Sequence, residues 1–313
     1  MKTSNVQMKT NRMLLVLGLA LTGLCALPQK ASAVVGYVNV PLTNGYNFVA
    51  NPLDVLPNNH ITNVIPSAPV NARIYLWNVA TQVFQQVGVF DEATQSWVEP
   101  KYAGPCNALL PPGLGFVLWS PISHTNTFVG EVGSGGFTNF VAGNHKLSLL
   151  GSKPPLSGEL AGVLGFPAIN GADALTFSSA SQSYSNTCTY FPGYGWYDPV
   201  GLATSGGPFI SVARSFFVRN PGQDTNWIVS FTPGFAAPMA AGGKAGNAPE
   251  ICGLALRDGT VTLNILNPGG TNFNVQFSTD RVNWSTLATG QTGTIWKGPA
   301  PPDPQGYFQL VNP

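Results

Sequence analysis

The chain has 313 residues, of which 44% are hydrophobic and only 9% charged, with a formal net charge of +1. That charged fraction is far below the usual quarter of a globular domain, and it excludes the clustered basic face that nucleic-acid binding needs. Glycine and proline, 36 and 27 residues, fall short of the level that marks disorder. The composition describes a folded, turn-rich chain long enough for two or three domains.

Lys2, Lys9 and Arg12 precede an apolar run from Met13 to Leu27, which ends in Ala31-Ser32-Ala33. A cationic start, a short apolar centre and a small-x-small site, in that order, read as a secretory signal peptide over residues 1–33, cleaved after Ala33. The run is too short for a membrane span, and no later stretch approaches the roughly 20 apolar residues that one needs, so no transmembrane segment is expected after cleavage. Cys25 follows Leu24, which is too large for the position before a lipid-bearing cysteine. Release is therefore expected, into the periplasm, onto the outer surface or outside the cell. Loss of the leader removes Lys2, Lys9, Arg12 and Lys30 and turns 14 basic and 13 acidic groups into 10 and 13, net −3. So weakly charged a surface offers little repulsion between copies, and self-association is an expected property.

The mature cysteines are Cys106, Cys188 and Cys252. In an oxidising compartment, one reading is a Cys106–Cys188 bridge with Cys252 spare, because Cys252 lies beyond a linker. Three buried, unpaired thiols are the other reading. No two stand at CxxC spacing and none has a histidine nearby, so no zinc site and no cofactor is expected.

Sliding the chain against itself gives a match at an offset of 99 to 100 residues. Ile61, Val64 and Ile65 fall on Leu160, Val163 and Leu164. Tyr75 and Trp77 fall on Leu175 and Phe177, Trp97 on Trp196, Leu114 to Val117 on Arg214 to Phe217, and Phe128 on Ile228. These matches predict two tandem β-modules, residues 34–136 and 137–233. In the first, Asn44-Gly45 marks a hairpin between 36–40 and 46–50. Asn59 is placed to cap a short helix carrying Ile61, Val64 and Ile65. Segments 73–77 and 83–87 form a second hairpin, and 113–119 with 125–130 a third. In the second module a matching short helix is expected from Ser157 to Gly165.

Residues 234–250 have a linker's composition of Gly, Ala and Pro, with Lys244 the one cation. Beyond it, 254–256 and 260–265 flank Asp258-Gly259 as a hairpin. Phe273, Val275 and Phe277 alternate with Asn274, Gln276 and Ser278, so one face is buried. Residues 251–313 are thus expected to form a small Ig-like or jelly-roll-like β-sandwich. The whole chain is predicted to be mostly all-β, with about one short helix in each module.

Three segments carry a resemblance: Gly36-Tyr37-Val38-Asn39-Val40-Pro41-Leu42, Phe48-Val49-Ala50-Asn51-Pro52-Leu53 and Gly113-Leu114-Gly115-Phe116. They resemble a family of exported, uncharacterised β-rich repeat proteins of environmental Gram-negative bacteria. The second module departs from that pattern, with Leu149-Leu150-Gly151 and Ala213-Arg214-Ser215-Phe216 at the corresponding places. The stretch from Val275 to Trp284, with Ser278-Thr279-Asp280 before Asn283-Trp284, is similar to a strand–turn–strand signature of secreted β-sandwich modules. The resemblance implies export and β-modules, and it brings no activity or site.

Ser278-Thr279-Asp280 is also similar to the Asp-box turn of sialidase-type propellers, but Val282 stands where glycine is needed and the pattern occurs once. A turn in which Asp280 and Asn283 bond their own backbone is the simpler reading. Paired carboxylates for glycoside hydrolysis are not evident: Asp91 and Glu92 would face opposite sides of a strand, and Glu99, Glu131, Glu159 and Asp198 stand apart. His60, His124 and His145 form no HExxH or triad pattern, and Ser215 lacks a Gly-x-Ser-x-Gly elbow. No catalytic or metal residue is assigned. The most suggestive stretch runs from Tyr184 to Asp198. Exposed rings of Tyr190, Tyr194, Trp196 and Tyr197 would stack on sugars while Asp198 and Asn186 bind hydroxyls; the same rings would alternatively be core. Tyr194 and Tyr197 are the better ligand candidates, since Trp196 matches Trp97.

The leading expectation is an exported, non-catalytic β-modular protein that acts in binding or assembly at the cell surface or outside the cell, with polysaccharide or surface components as partners. The alternatives are a carbohydrate-binding module using those aromatics, and an unrecognised secreted hydrolase, for which a cleft joining Glu99 to Asp198 would speak.

Overall fold

A computed structural model describes residues 34–101, 104–198, 203–204, 206–232, 249–257, 259–311 and 313. The segment expected to be a signal peptide, 1–33, lies outside these residues, as does the expected linker, 234–250, except for its last two positions. The chain is all-β, built from several antiparallel sheets.

The first strands are β1 (Val35–Leu42), β2 (Gly45–Ala50), β3 (Arg73–Asn78), β4 (Val83–Asp91), β5 (Ser96–Val98), β6 (Gly115–Ser120) and β7 (His124–Glu131). One sheet has the order β2-β6-β3-β4-β5, and β1 pairs with β7 along its whole length. Strand alternation turns Val38, Val40, Leu42 and Phe128 of the β1-β7 ladder toward Val49, Ile74, Phe116 and Leu118 of the sheet. With Trp97 and the single-turn helix α1 (Ile61–Val64), they make one buried core. Each such side chain contributes about 1.5–3 kcal/mol of burial.

The next strands are β8 (Gly135–Val141), β9 (Lys146–Gly151), β10 (Gly158–Glu159), β11 (Asp173–Ser178), β12 (Ser183–Phe191), β13 (Gly195–Tyr197), β14 (Ala203–Thr204), β15 (Phe209–Ile210), β16 (Ser215–Asn220) and β17 (Thr225–Phe231). Their main sheet is β9-β16-β11-β12-β13-β14, and β8 pairs with β17. The strand order β9-β16-β11-β12-β13 thus parallels β2-β6-β3-β4-β5. A second core lies between the sheet and the ladder, around Leu160, Trp196, Phe216 and Trp227. Trp97 Nε1 donates to the Ile65 carbonyl at 2.7 Å, and in the second core it is Trp227 Nε1 that donates to the Leu164 carbonyl, at 2.9 Å.

The two main sheets pack on each other through Phe48, Val117, Leu149 and Phe217, joined by Tyr75, Trp77, Leu175 and Phe177. Tyr75 and Leu175, and Trp77 and Phe177, are matched pairs in the sequence, so equivalent positions meet in one interface. The main chain repeats the reciprocity: Ala50 N–H donates to the Ala213 carbonyl and Gly151 N–H to the Gly113 carbonyl, both at 3.0 Å.

The last strands are β18 (Glu250–Arg257), β19 (Thr260–Leu266), β20 (Phe273–Ser278), β21 (Ser285–Gln291), β22 (Ile295–Pro299) and β23 (Gln305–Val311). They form a sandwich of β18-β19-β22 against β21-β20-β23, and β23 continues onto β1. The residues of β1 serve two cores: Val35 and Tyr37 lie with Phe273, Val275, Phe277 and Phe308, while Val38 and Val40 belong to the first core.

Several sequence expectations are corrected. Two expected hairpins do not form, because β1 pairs with β7 and β23 whereas β2 pairs with β6, and β6 does not pair with β7. Gly45, at φ +100°, turns the chain from one sheet to the facing one, and Asn47 Oδ1 accepts the Thr43 N–H at 2.9 Å to hold that corner. Helix α1 has His60 at its N-cap, with no side-chain cap bond. Asn59 instead accepts the Val55 N–H at 2.9 Å and donates to Asp54 at 2.6 Å. Ser157 to Gly165 is the short strand β10 followed by a turn, with no helix. Cys106 and Cys188 are both free and lie in different cores, so the bridge, one of the two readings, is not made, and Cys252 is exposed rather than buried.

Candidate functional site

The aromatic stretch folds as the tip of the β12–β13 hairpin. Thr189 pairs with Tyr197, Tyr190 with Trp196 and Phe191 with Gly195. Because side chains alternate across a strand, this register divides the candidate residues between two faces. Trp196 is 2% exposed and packs in the second core, with the Tyr190 ring edge-on to it at 5.5 Å. Asp198 falls on the same inner side, close enough to Cys188 that its charge adds to the burial raising that thiol's pKa. Tyr194, in the turn that joins the two strands, is 76% exposed. On the outer side Phe191 is exposed and Tyr197 half-buried, their rings edge-on at 5.8 Å. The Asn186 side chain lies outside the described residues.

The structure therefore keeps Tyr194 and Tyr197 as surface candidates, sets Tyr190, Trp196 and Asp198 apart from them, and adds Phe191. Strand alternation was the available signal: an inward Trp196 requires an outward Tyr197 and an inward Asp198.

The first sheet has the same hairpin without the aromatic surface. There Val89 pairs with Val98, Phe90 with Trp97 and Asp91 with Ser96. Phe90 and Trp97 are buried, as Tyr190 and Trp196 are largely in the second. The outward places of Phe191 and Tyr197 are held by Asp91 and Val98, and the turn at residues 92–95 carries no aromatic residue. Asp91 closes its turn by accepting the Thr94 N–H at 2.9 Å and hydroxyl at 3.0 Å, which pulls its pKa below the ordinary carboxylate value. The hairpin therefore forms without such rings.

Other candidate chemistry is dispersed. Glu99 follows β5 and Asp198 follows β13, in two different sheets. A cleft of about 680 Å³ runs beside β7, bounded by Asp54, Asn63, His124, Asn126 and Glu131 on one side and by Cys252 to Leu256 on the other. Neither Glu99 nor Asp198 lines it, and no aromatic carbocycle does. His124 loses basicity by burial. Among the described residues no group of His, Cys, Asp or Glu is arranged to hold a metal ion, and no helix is long and apolar enough to cross a membrane. The Asp280 turn is a backbone device: its Oδ1 accepts the N–H groups of Val282 and Asn283, both at 2.8 Å. These bonds hold its pKa well below the ordinary carboxylate value. No family model matches the chain, and no curated protein matches it.

Proposed function

We propose that the protein is an exported, non-catalytic binding protein that engages polysaccharide at the cell surface or outside the cell through Phe191, Tyr194 and Tyr197. The observation that carries the reading is the aromatic surface at the β12–β13 tip, on a hairpin whose counterpart at β4–β5 forms without it. Large rings are mostly buried in folded proteins, so Tyr194 at 76% exposure is a feature that the fold does not require. An aromatic face on a stiff hairpin offers an apolar platform for the C–H face of a sugar ring, and the tyrosine hydroxyls add polar contacts at its rim. The leader at residues 1–33 supports export, and the two parallel sheet orders support a duplicated module whose second copy acquired the platform.

Retention of residues 34–313 on a panel of insoluble and soluble polysaccharides tests the reading. Retention on at least one glycan, lost when Tyr194 is changed to Ala, is the expected result. Hydrolysis of glycans, peptides or esters by the purified protein would overturn the non-catalytic assignment, and a wholly negative panel would overturn the ligand class.

A further inference from the structure

We propose that the open edge of β8 pairs with β8 of a second copy, joining two molecules through a continuous sheet β17-β8-β8-β17. The internal reference is β1, which occupies in the first sandwich the place that β8 occupies in the second. Each pairs on one edge, with β7 and β17 respectively. The other edge of β1 is filled by β23, and its outward ring Tyr37 is 1% exposed. In that ladder a glycine faces an aromatic residue twice: Gly36 opposite Tyr307, and Tyr37 opposite Gly306. A Cβ on either glycine would strike the facing ring, so the glycines exist to admit those rings.

The corresponding edge of β8 has no strand partner among the described residues. Gly135 and Gly136 have open space where a Cβ would stand. Phe140 is 55% exposed, and Ile228 on the same outer face of β17 is 64% exposed. Neither β8 nor β17 contains a charged residue, although charge on the strand is the common guard against edge pairing. A cation reaches this edge from outside it, where Lys153 Nζ donates to the Thr138 carbonyl at 2.6 Å. That bond identifies the main-chain groups of Thr138 as facing away from β17, and with them, by alternation, those of Gly136 and Phe140.

An edge of this kind is self-complementary. Antiparallel pairing about a two-fold axis through Thr138 sets Phe140 of each copy beside Gly136 of the other. The result is the ring-beside-glycine relation already made between β1 and β23, here in the closed two-fold arrangement commonest among homodimers. The glycan platform lies on a different hairpin, so either idea can fail alone.

Sedimentation of residues 34–313 over a wide concentration range tests the pairing, with a concentration-dependent dimer as the expected result. Thr138→Pro removes an outward N–H without touching the β17 ladder, and Phe140→Asp places charge on an already exposed site; both are expected to sediment as monomers with unchanged far-ultraviolet spectra. Thr138→Cys is expected to trap the dimer as a disulfide under mild oxidation. Lys153→Ala, which clears the edge of one competing bond, is expected to tighten the dimer by about threefold to tenfold. A chain that stays monomeric at all concentrations overturns the proposal. So does a dimer that persists in Phe140→Asp and is not trapped by Thr138→Cys.

Discussion

Gln82 and Gln182 clasp opposite sides of one interface by the same pair of bonds. The Gln82 amide accepts the Leu147 N–H at 2.8 Å and donates to the Leu147 carbonyl at 3.2 Å. The Gln182 amide does the same to Tyr46, at 2.7 and 3.1 Å. Both glutamines have left-handed backbone, at φ 56° and 51°, and both targets lie on the outer strands of their sheets, β9 and β2. Each amide therefore closes main-chain groups that a sheet edge would leave open. With two hydrogen bonds at about 0.5–1.5 kcal/mol each, Gln82→Ala and Gln182→Ala are each expected to cost about 1–3 kcal/mol in urea unfolding. The double variant should lose about the sum, since the two sites share no partner.

Phe48 is the centre of the same interface. Its ring stacks on Phe177 at 4.4 Å and meets Phe84, Tyr184 and Phe217 edge-on at 5.9 to 6.2 Å. Phe48→Ala is expected to destabilise the protein by about 3–5 kcal/mol. A double-mutant cycle with Phe177→Ala should return a coupling of about 0.5–1.5 kcal/mol; additive losses would show that the stack is incidental.

The cysteines report on the cores. Burial pushes the Cys106 and Cys188 thiols up, while Cys252 is exposed. In a chain starting at Val34, one thiol should react quickly with a disulfide reagent and two more only on unfolding, and melting should be unaffected by reductant. Melting that falls with reductant would indicate a bridge.

Tyr37 predicts an alkaline transition. Its hydroxyl donates to the carbonyls of Pro301 and Asp303 at 3.2 and 3.3 Å, and burial, with Asp303 adding, pushes its pKa from 10.0 to about 12. An acid whose folded pKa is raised supports the folded state while it remains protonated. The contribution is thus complete below pH 10 and is lost as pH rises toward 12. Burial also raises Tyr184 and Tyr307, so Tyr37→Phe should remove only part of the alkaline loss of stability, together with one late-ionising phenol in the near-ultraviolet titration.

The alternation of Phe273, Val275 and Phe277 was legible because period two names the buried face of a strand without knowledge of its partner. The partner itself was not. Asn44-Gly45 signals a turn, and a turn between two half-buried strands serves a hairpin or a crossing between facing sheets equally well. β1 is buried on both faces by two different cores, a fact written in residues more than 200 positions away, at Gly306, Tyr307 and Phe308. Arg281 had no local signal at all. It is 5% exposed, with its guanidinium over the rings of Phe231 and Tyr307 at 4.6 and 4.8 Å, although its place in a polar turn suggests a solvated charge. At the candidate site, Tyr194 was legible from the glycines on either side of it, whereas the inward turn of Asp198 followed only once Trp196 was known to be core.

The most direct test of the account measures glycan affinity for four versions of residues 34–313: unchanged, Tyr194→Ala, Tyr197→Ala and Thr94→Ala, the last altering the matching hairpin of the first sheet. Thermal melting of each checks the fold. Roughly tenfold weaker binding is expected for each tyrosine variant, the loss of one stacked ring, with melting essentially unchanged for Tyr194→Ala and binding unchanged for Thr94→Ala. Equal affinity in all four, or no binding by the unchanged protein, would contradict the proposed function.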